Sequence, residues 1–183
     1  MPDIELRTDR LLLRPPIEAD LDGWAAFDAD PQAMAFFGGP KGRAAAWEGM
    51  ATVAGMWGLR GYGLFSVIER ESGAWVGRVG PWAPPEHLGT EVGWALLPSA
   101  WGRGYATEAA SAAIDWVFAA HGWAEVVHCI DHGNEVSVGV AQRLGSPLIR
   151  EAMRPDGTPT RIFGQSREAW AARRPLTLPP DAL

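Results

Sequence analysis

The sequence predicts a single α+β (mixed α/β) domain whose central, mostly antiparallel sheet is flanked by helices. Three observations support this fold class. A length of 183 residues suits one hydrophobic core. The apolar pattern changes from a helical period to a period of two and back again. A strand, a helix and a second strand also follow one another over residues 90–130, an order typical of a crossover in a mixed sheet.

The first third of the chain is predicted to hold one strand and two helices. Residues 11–13 are apolar, lie between two arginines and precede a proline pair, which favours a short strand. Apolar residues at helical spacing then predict a helix that ends at Asp30. Residues 36–42 contain three glycines and a proline, so we expect a loop that could serve as a lid. A second helix is predicted over 43–59, with Gly61 beyond its end.

The middle of the chain is predicted to form a hairpin and a third strand. Residues 64–68 and 75–79 alternate in polarity, and the turn at 71–73 separates them. Pro81 and the two prolines after it are expected to end the second arm. The next strand is predicted over 90–97, where another proline stops it.

The last third alternates helices and strands. The predicted elements are a helix over 107–121 ended by Gly122, a strand over 126–130, a short helix over 137–144 with Gly145 at its end, and a last strand over 162–166.

Composition excludes several classes of function. The net charge is −6 and Lys41 is the single lysine, which argues against a general nucleic-acid surface because phosphate contacts need clustered positive charge. No apolar run approaches the roughly 20 residues that cross a bilayer. The first ten residues are charged rather than apolar, so we expect no signal peptide and a cytoplasmic protein.

Cysteine and histidine usage predicts no metal site. Cys129 is the only cysteine, so it forms neither an internal disulfide nor a Cys-pair zinc site, and we interpret it as a small apolar residue of a strand. His121, His128 and His132 are close in sequence, but their predicted elements differ and their spacing is not that of metal ligands.

The stretch WGRGYATEAA, residues 101–110, predicts a turn that receives an anion. Gly102 and Gly104 permit a sharp bend, and the N–H groups at the start of the following helix have no partners within it. The helix dipole favours negative charge there, and Arg103 would add a full positive charge. A turn without a ligand is the alternative. A dinucleotide fingerprint would need a small residue where Thr107 stands, and a phosphate-binding loop would need Ser or Thr after Lys41.

Several ordered motifs carry a family resemblance. EVGWALLPSAWGRGYATEA, residues 91–109, is followed by an Asn-x-x-Ser at 134–137 and by QRLG at 142–145, and together these resemble the GNAT superfamily of N-acetyltransferases. LRTDRLLLRPP near the start is similar to the branch that contains the ribosomal-protein alanine N-acetyltransferases. The resemblance spans about residues 6–170 of one domain, which leaves 171–183 as a tail.

The resemblance implies a sheet that splays open at a bulge in strand 91–97, with acetyl-CoA in the gap. The pyrophosphate would bind backbone N–H groups of residues 102–106, Asn134 would hydrogen-bond the pantetheine arm, and Ser137 would approach the sulfur. The implied cofactor-binding residues are Leu96, Leu97, Trp101, Gly102, Arg103, Gly104, Tyr105, Ala106, Thr107, Asn134 and Ser137.

Three positions depart from the family pattern. Trp101 stands where Gln or Arg is frequent, Ser146 stands where an aromatic residue often follows Leu-Gly, and Ala141 replaces a frequent tyrosine. The missing tyrosine removes the usual candidate for protonating the leaving thiolate.

Acetyl transfer to an amine needs a base, an oxyanion donor and an acid for the thiolate. Glu91 is the candidate base, because partial burial would raise its pKa; a solvated or arginine-paired carboxylate is the alternative. A backbone N–H near Leu96 or Leu97 could bind the oxyanion. Ser137 is the candidate acid, with water as a competitor; the alternative is that Ser137 only begins a helix. Trp24, Phe36, Phe37 and Trp47 are expected on the acceptor side.

The sequence therefore predicts an acetyl-CoA-dependent N-acetyltransferase that acts without metal, by direct transfer in a ternary complex, on a protein N-terminus or a small-molecule amine. A catalytically inactive acyl-CoA sensor is the alternative, and a purely structural domain is a third. A homodimer formed through terminal strands is also considered.

Overall fold

The computed structural model describes residues 4–154 and 156–173, which form an eight-stranded sheet with the strand order β1-β2-β3-β4-β5-β6-β8-β7. The strands are β1 (Leu6–Arg7), β2 (Leu11–Arg14), β3 (Phe65–Glu69), β4 (Trp75–Trp82), β5 (Glu91–Leu96), β6 (Glu125–Asp131), β7 (Leu148–Met153) and β8 (Pro159–Ser166). The helices are α1 (Leu21–Ala29), α2 (Arg43–Arg60), α3 (Tyr105–Ala120), α4 (Glu135–Leu144) and α5 (Arg167–Arg173). Among these described helices, none combines the length and apolarity that a membrane span requires.

Every predicted helix and strand is present, but several begin earlier than predicted. Helix α3 begins at Tyr105, directly after Gly104, whose left-handed φ of 78° ends the preceding turn. Helix α4 begins at Glu135, because the Asn134 side chain accepts a hydrogen bond from the Ser137 N–H and caps the helix. Strand β8 begins at Pro159 rather than at residue 162.

Pro81 does not end β4, which contradicts the prediction from its sequence position. It lies within the strand, opposite Val92 of β5. Its nitrogen is directed toward β3, whose first residue, Phe65, already pairs with Val79. Because β3 does not extend to Pro81, the missing N–H costs no ladder hydrogen bond.

The two edge strands, β1 and β7, are not predicted from the sequence. Strand β1 has only two residues, and β7 has almost no buried face on which a period of two could appear. Leu148, Ile149 and Met153 of β7 are all exposed. The pairing of terminal strands across two copies stays a prediction.

Strand β5 separates two apolar clusters. Val92 and Leu96 pack into the main core, to which α3 contributes a face of buried alanines. Ala95, on the opposite face of β5, packs into a second cluster with Phe27 and Met34. A strand buried on both faces in this way is held firmly in position, and β5 forms one wall of a gap between itself and β6.

The sheet splays open between β5 and β6, as expected. These strands are parallel and are joined through α3, and Glu91 with Val127 is the one registered pair between them in the described residues. The expected bulge in strand 91–97 is not observed, because β4 and β5 pair from Gly77–Leu96 to Trp82–Glu91 without a register shift. The gap therefore arises because β6 turns away from β5.

Candidate functional site

The edge of β5 presents backbone polar groups to the gap. The Leu97 N–H donates to the Val76 carbonyl (2.9 Å). In this segment the backbone N–H and C=O groups of odd-numbered residues therefore point toward β4, and those of even-numbered residues point toward the gap. Consistent with this alternation, the Leu96 carbonyl accepts a hydrogen bond from the Trp101 indole (2.8 Å). The N–H of Leu96 and both backbone polar groups of Trp94 therefore point where an extended ligand could pair as an additional strand.

This alternation decides between the two expected oxyanion donors. Leu97 cannot serve, since its N–H is bound to β4. The Leu96 N–H has the required direction. The side chain of Leu96 is buried in the main core, so this residue can contact a ligand only through its backbone.

The turn before α3 has the conformation that its glycines predict. Gly102 and Gly104 have left-handed φ values of 72° and 78°. A Cβ added at Gly102 would meet no atom within 4 Å, and one at Gly104 would meet only the Arg10 guanidinium, at 3.5 Å. Open space thus lies beside a turn that leads into the first N–H groups of a 16-residue helix.

The side chains of the turn are engaged within the protein. The Arg103 guanidinium pairs with Glu69 (Nη2 to Oε1, 2.6 Å), and the Tyr105 hydroxyl donates to the same carboxylate. Hydrogen bonds from Ser72 and Tyr105, together with the Arg103 guanidinium, lower the pKa of Glu69 to about 2. The positive charge expected from Arg103 is therefore already paired, and the turn offers a ligand mainly its backbone.

Neighbouring contacts fix the turn to the rest of the fold. The carboxylate of Glu108 accepts hydrogen bonds from the Thr8 hydroxyl and from the Arg10 N–H, which ties the β1–β2 turn to α3. Thr107 accepts a longer hydrogen bond from Arg143 of α4 (3.4 Å). Trp101 remains 45% exposed beside the turn.

A cavity of about 780 Å³ brings together the two predicted catalytic residues. Glu91 and Ser137 line it, as does Asn134. Three of the four aromatic residues expected on the acceptor side also line it, namely Trp24, Phe36 and Phe37. Trp47 lies outside the cavity wall and is 46% exposed. Residues 96, 97 and 101–107 are likewise not part of this wall.

Glu91 is largely buried at the point where β5 and β6 separate. Its Oε2 lies 2.5 Å from Nε2 of His87, and its Oε1 accepts a hydrogen bond from the Cys129 N–H (3.3 Å). Burial, reinforced by the negative charge of Glu91, raises the pKa of the Cys129 thiol. The sequence analysis missed His87, because it lies in an irregular loop; its spacing of four residues from Glu91 is the only signal in the sequence.

Trp94 connects Ser137 to β5. Its indole N–H donates to the Ser137 Oγ (3.2 Å), so the serine oxygen is the acceptor and its own proton stays available for donation. Asn134 uses Oδ1 to cap α4, which leaves its side-chain NH2 as the group that could reach a ligand. The sequence analysis also missed Trp94 as a site residue, since the contact joins residues 43 positions apart.

His128 is a buried, neutral residue of the cavity wall. Desolvation by burial lowers its pKa to about 4, although a hydrogen bond to Val92 opposes this shift. Nδ1 donates to the Val92 carbonyl (2.7 Å), so Nε2 accepts from the Ser146 hydroxyl (3.0 Å). Gln165 in turn donates to Ser146 (2.8 Å). Ser146, which departs from the family pattern, thus belongs to a buried polar network.

The three histidines considered in the sequence do not come together. His128 lies in β6, whereas the His121 ring contacts Tyr62 and Trp116 at the end of α3. His132 is exposed in the turn before α4.

The chain is similar to known proteins in both sequence and structure. A sequence model of the acetyltransferase (GNAT) domain matches residues 10–146. The chain is 30% identical over 164 residues to the uncharacterized protein YkkB of Bacillus subtilis (strain 168), over 82% of this chain and 91% of that protein. A crystal structure of an acetyltransferase from Agrobacterium tumefaciens str. C58 superposes with a TM-score of 0.81 at 31% identity, over 91% of this chain and 96% of that chain. A ribosomal-protein-S5-alanine acetyltransferase from Vibrio fischeri shares the fold, with a TM-score of 0.67, 18% identity, and coverage of 92% of this chain and 99% of that chain.

Proposed function

The chain belongs to the GNAT acetyltransferase family, and on that premise we propose that it transfers the acetyl group of acetyl-CoA directly to a primary amine in a ternary complex. The observation that carries the proposal is the gap between β5 and β6, into which β5 turns the backbone groups of Trp94 and Leu96. An extended, amide-containing arm such as pantetheine fits such an edge by pairing as an additional strand.

The other proposed cofactor contacts use polar groups that are not already engaged in hydrogen bonds within the protein. The backbone N–H groups of residues 102–106 would bind the pyrophosphate, since the side chains of Arg103 and Tyr105 are engaged with Glu69. The Asn134 NH2 would donate to the pantetheine arm. Leu97 and Trp101 would contribute apolar surface beside the gap, and Thr107 would add its own backbone N–H in the first turn of α3.

Glu91 is proposed to take the proton of the acceptor amine. An alkyl ammonium has a pKa near 10.4 and an α-ammonium near 8, so a base assists either acceptor at neutral pH. The amine nitrogen forms the new bond to the acetyl carbon, and the carbon–sulfur bond breaks. Leu96 would donate its N–H to the oxyanion, a contribution of about 2.7–4 kcal/mol for one such donor.

Ser137 is proposed to protonate the leaving thiolate. The hydrogen bond from Trp94 occupies the serine oxygen and directs its proton elsewhere, which suits a donor. Ala141 stands where the family often has a tyrosine. Its side chain carries no proton donor and is fully buried against Val138 and Ile130, so this position supplies no acid. This absence also favours the second candidate function, an acyl-CoA sensor without transfer activity.

The experiment that tests the proposal measures thiol release from acetyl-CoA with a panel of peptides bearing free N-termini and of small primary amines. Release that depends on the amine, with the acetylated product identified by mass, supports transfer and indicates the acceptor class. Binding of acetyl-CoA without release on any amine would favour the sensor. Absence of both would contradict the proposed function and leave a structural domain.

A further inference from the structure

Three side chains of different chemistry meet where β5 and β6 separate. Glu91 is the first residue of β5, Cys129 lies on β6 two residues beyond the register partner of Glu91, and His87 lies on the loop that leads into β5. One ligand atom from each, an imidazole nitrogen, a carboxylate oxygen and the thiol sulfur, lies within 4.8 Å of the other two. They line the cavity, so a small solute can enter.

This donor set matches the preference of zinc and similar divalent cations. Zn²⁺ binds nitrogen, sulfur and carboxylate oxygen, and sites with three protein ligands leave a fourth, open position for water or another ligand. The three donors here are of that kind, and the cavity provides the open side. A carboxylate and a thiolate together would neutralise a doubly charged ion.

The present distances need only small changes to admit such an ion. Donors that share a tetrahedral zinc ion through bonds of about 2.0–2.3 Å lie about 3.3–3.8 Å apart. Nε2 of His87 lies 2.5 Å from Oε2 of Glu91 and 4.0 Å from Sγ of Cys129. The first distance must lengthen and the second shorten, which side-chain rotations can provide.

The surrounding contacts hold two of the ligands in position. The Cys129 N–H donates to Oε1 of Glu91, which leaves Oε2 on the side of His87. The loop that carries His87 is fixed by a hydrogen bond from Arg150 to the Leu88 carbonyl (2.9 Å). Glu86, directly before His87, has a left-handed φ of 64°, a strained conformation for a residue other than glycine.

The charged groups around Cys129 have opposite effects on the ionisation of its thiol. Arg150 and Arg154 lie close enough to Cys129 to favour its thiolate, whereas Glu91 and burial favour the thiol. Arg154 is itself paired with Asp131 (2.9 Å). Metal ligands bind in their deprotonated form, so a cation at this site would be held by the Cys129 thiolate.

We propose that His87, Glu91 and Cys129 form a binding site for a zinc-type divalent cation. A bound cation would occupy the carboxylate oxygen of Glu91 and so act as a reversible inhibitor of acetyl transfer; this consequence rests on the proposed function, whereas the site itself does not.

The test measures Zn²⁺ affinity of the whole chain by competition with a chromophoric chelator, and repeats it with Co²⁺, whose thiolate charge-transfer band reports the sulfur ligand. The variants are His87→Gln and Cys129→Ser, and the matched control is His132→Gln, a change at an exposed histidine. We expect one ion per wild-type chain, at least tenfold weaker binding in both variants, no charge-transfer band in Cys129→Ser, and unchanged binding in the control.

Two results would contradict the proposed site. One is a wild-type Zn²⁺ affinity no higher than that of His87→Gln and Cys129→Ser, and the other is an equal loss of Zn²⁺ affinity in the control His132→Gln. Circular dichroism and thermal unfolding of each variant separate loss of a ligand from loss of the fold. Where acetyl transfer is measurable, Zn²⁺ is expected to inhibit the wild type at concentrations that leave Cys129→Ser active. Zinc binding without any acetyl transfer would contradict the proposed function while supporting the site.

Discussion

Glu91 and Val127 form the one registered pair between β5 and β6 in the described chain, and the two strands diverge immediately beyond it. The pair therefore marks the closed end of the gap. The candidate base lies at this closed end, where neighbouring strands exclude much of the solvent. The backbone groups of Trp94 and Leu96 line the gap further along β5.

Replacing Glu91 with Gln is expected to lower kcat about 100-fold, because a positioned general base typically contributes 10²–10⁴. Acetyl-CoA affinity should change little, since the proposed cofactor contacts involve other residues. Steady-state kinetics with a saturating acceptor amine, together with calorimetric titration of acetyl-CoA, provide the measurement. Glu125→Gln is the matched control, an exposed carboxylate at the start of the neighbouring strand. An unchanged kcat in Glu91→Gln would contradict the assignment of the base.

Replacing Trp94 with Phe removes the hydrogen bond to Ser137 and keeps an aromatic ring beside His128. We expect kcat to fall about tenfold with little change in the KM for acetyl-CoA, because the serine proton loses its fixed direction. In a Ser137→Ala background the same change should have no further effect, and a double-mutant cycle measures this coupling. Additive effects would show that Trp94 acts independently of Ser137. Trp82→Phe, at another tryptophan of the cavity wall, is the control.

His128 is expected to make stability depend on pH between 6.5 and 4. Burial lowers its pKa to about 4 in the folded chain, so over this interval the unfolded chain binds a proton that the folded chain does not. Stability should fall by about 1.4 kcal/mol per pH unit as the pH decreases through this interval. Urea unfolding at several pH values should give a flatter dependence for His128→Asn than for the wild type. The exposed His132→Asn should retain the wild-type slope, and equal slopes in all three proteins would refute the prediction.

Asp20 is expected to stabilise the fold at neutral pH and to lose this contribution in acid. Burial opposes ionisation, but hydrogen bonds from Arg14, the Ile17 N–H and Ser66 outweigh it and lower the pKa of Asp20. Its contribution is therefore complete above the unfolded pKa near 3.9 and disappears as the pH falls through the lower folded value. Asp20→Asn should cost about 3 kcal/mol at pH 7, because it leaves a partly buried arginine unpaired.

The control for Asp20 is Asp22→Asn, whose carboxylate is 85% exposed and pairs with Arg43. An exposed ion pair contributes about 0–1 kcal/mol, so the control should unfold almost as the wild type does. Equal losses in the two variants at pH 7 would contradict the assignment to the buried pair.

The sequence was informative where local chemistry determines the conformation. Gly102 and Gly104 adopt the left-handed turn that their position before a helix predicts, and the family resemblance carried by residues 91–109 is confirmed. Elements with a buried face, such as α3, were predicted to within two or three residues. Strand β7 was missed because both of its faces are largely exposed, so it has no apolar period.

Contacts between distant parts of the chain could not be predicted. The pairing of Arg103 with Glu69 and the hydrogen bond between Trp94 and Ser137 each join elements that are far apart in sequence. The family resemblance led us to expect a bulge in β5, which is not observed. The gap between β5 and β6 instead results from the direction in which β6 leaves β5. His87 lies only four residues before Glu91, but its irregular loop has no helical or strand period from which the contact between the two side chains could be predicted.

The most direct test of the account is calorimetric titration of acetyl-CoA into the wild type, Gly104→Val and Gly122→Val. Both glycines have left-handed φ values and flank α3, at ends about 24 Å apart, so both variants carry similar strain and only the first blocks the proposed pyrophosphate turn. Micromolar binding that is lost in Gly104→Val and kept in Gly122→Val is the predicted result. No binding to the wild type, or equal binding in both variants, would contradict the proposal that this turn holds acetyl-CoA.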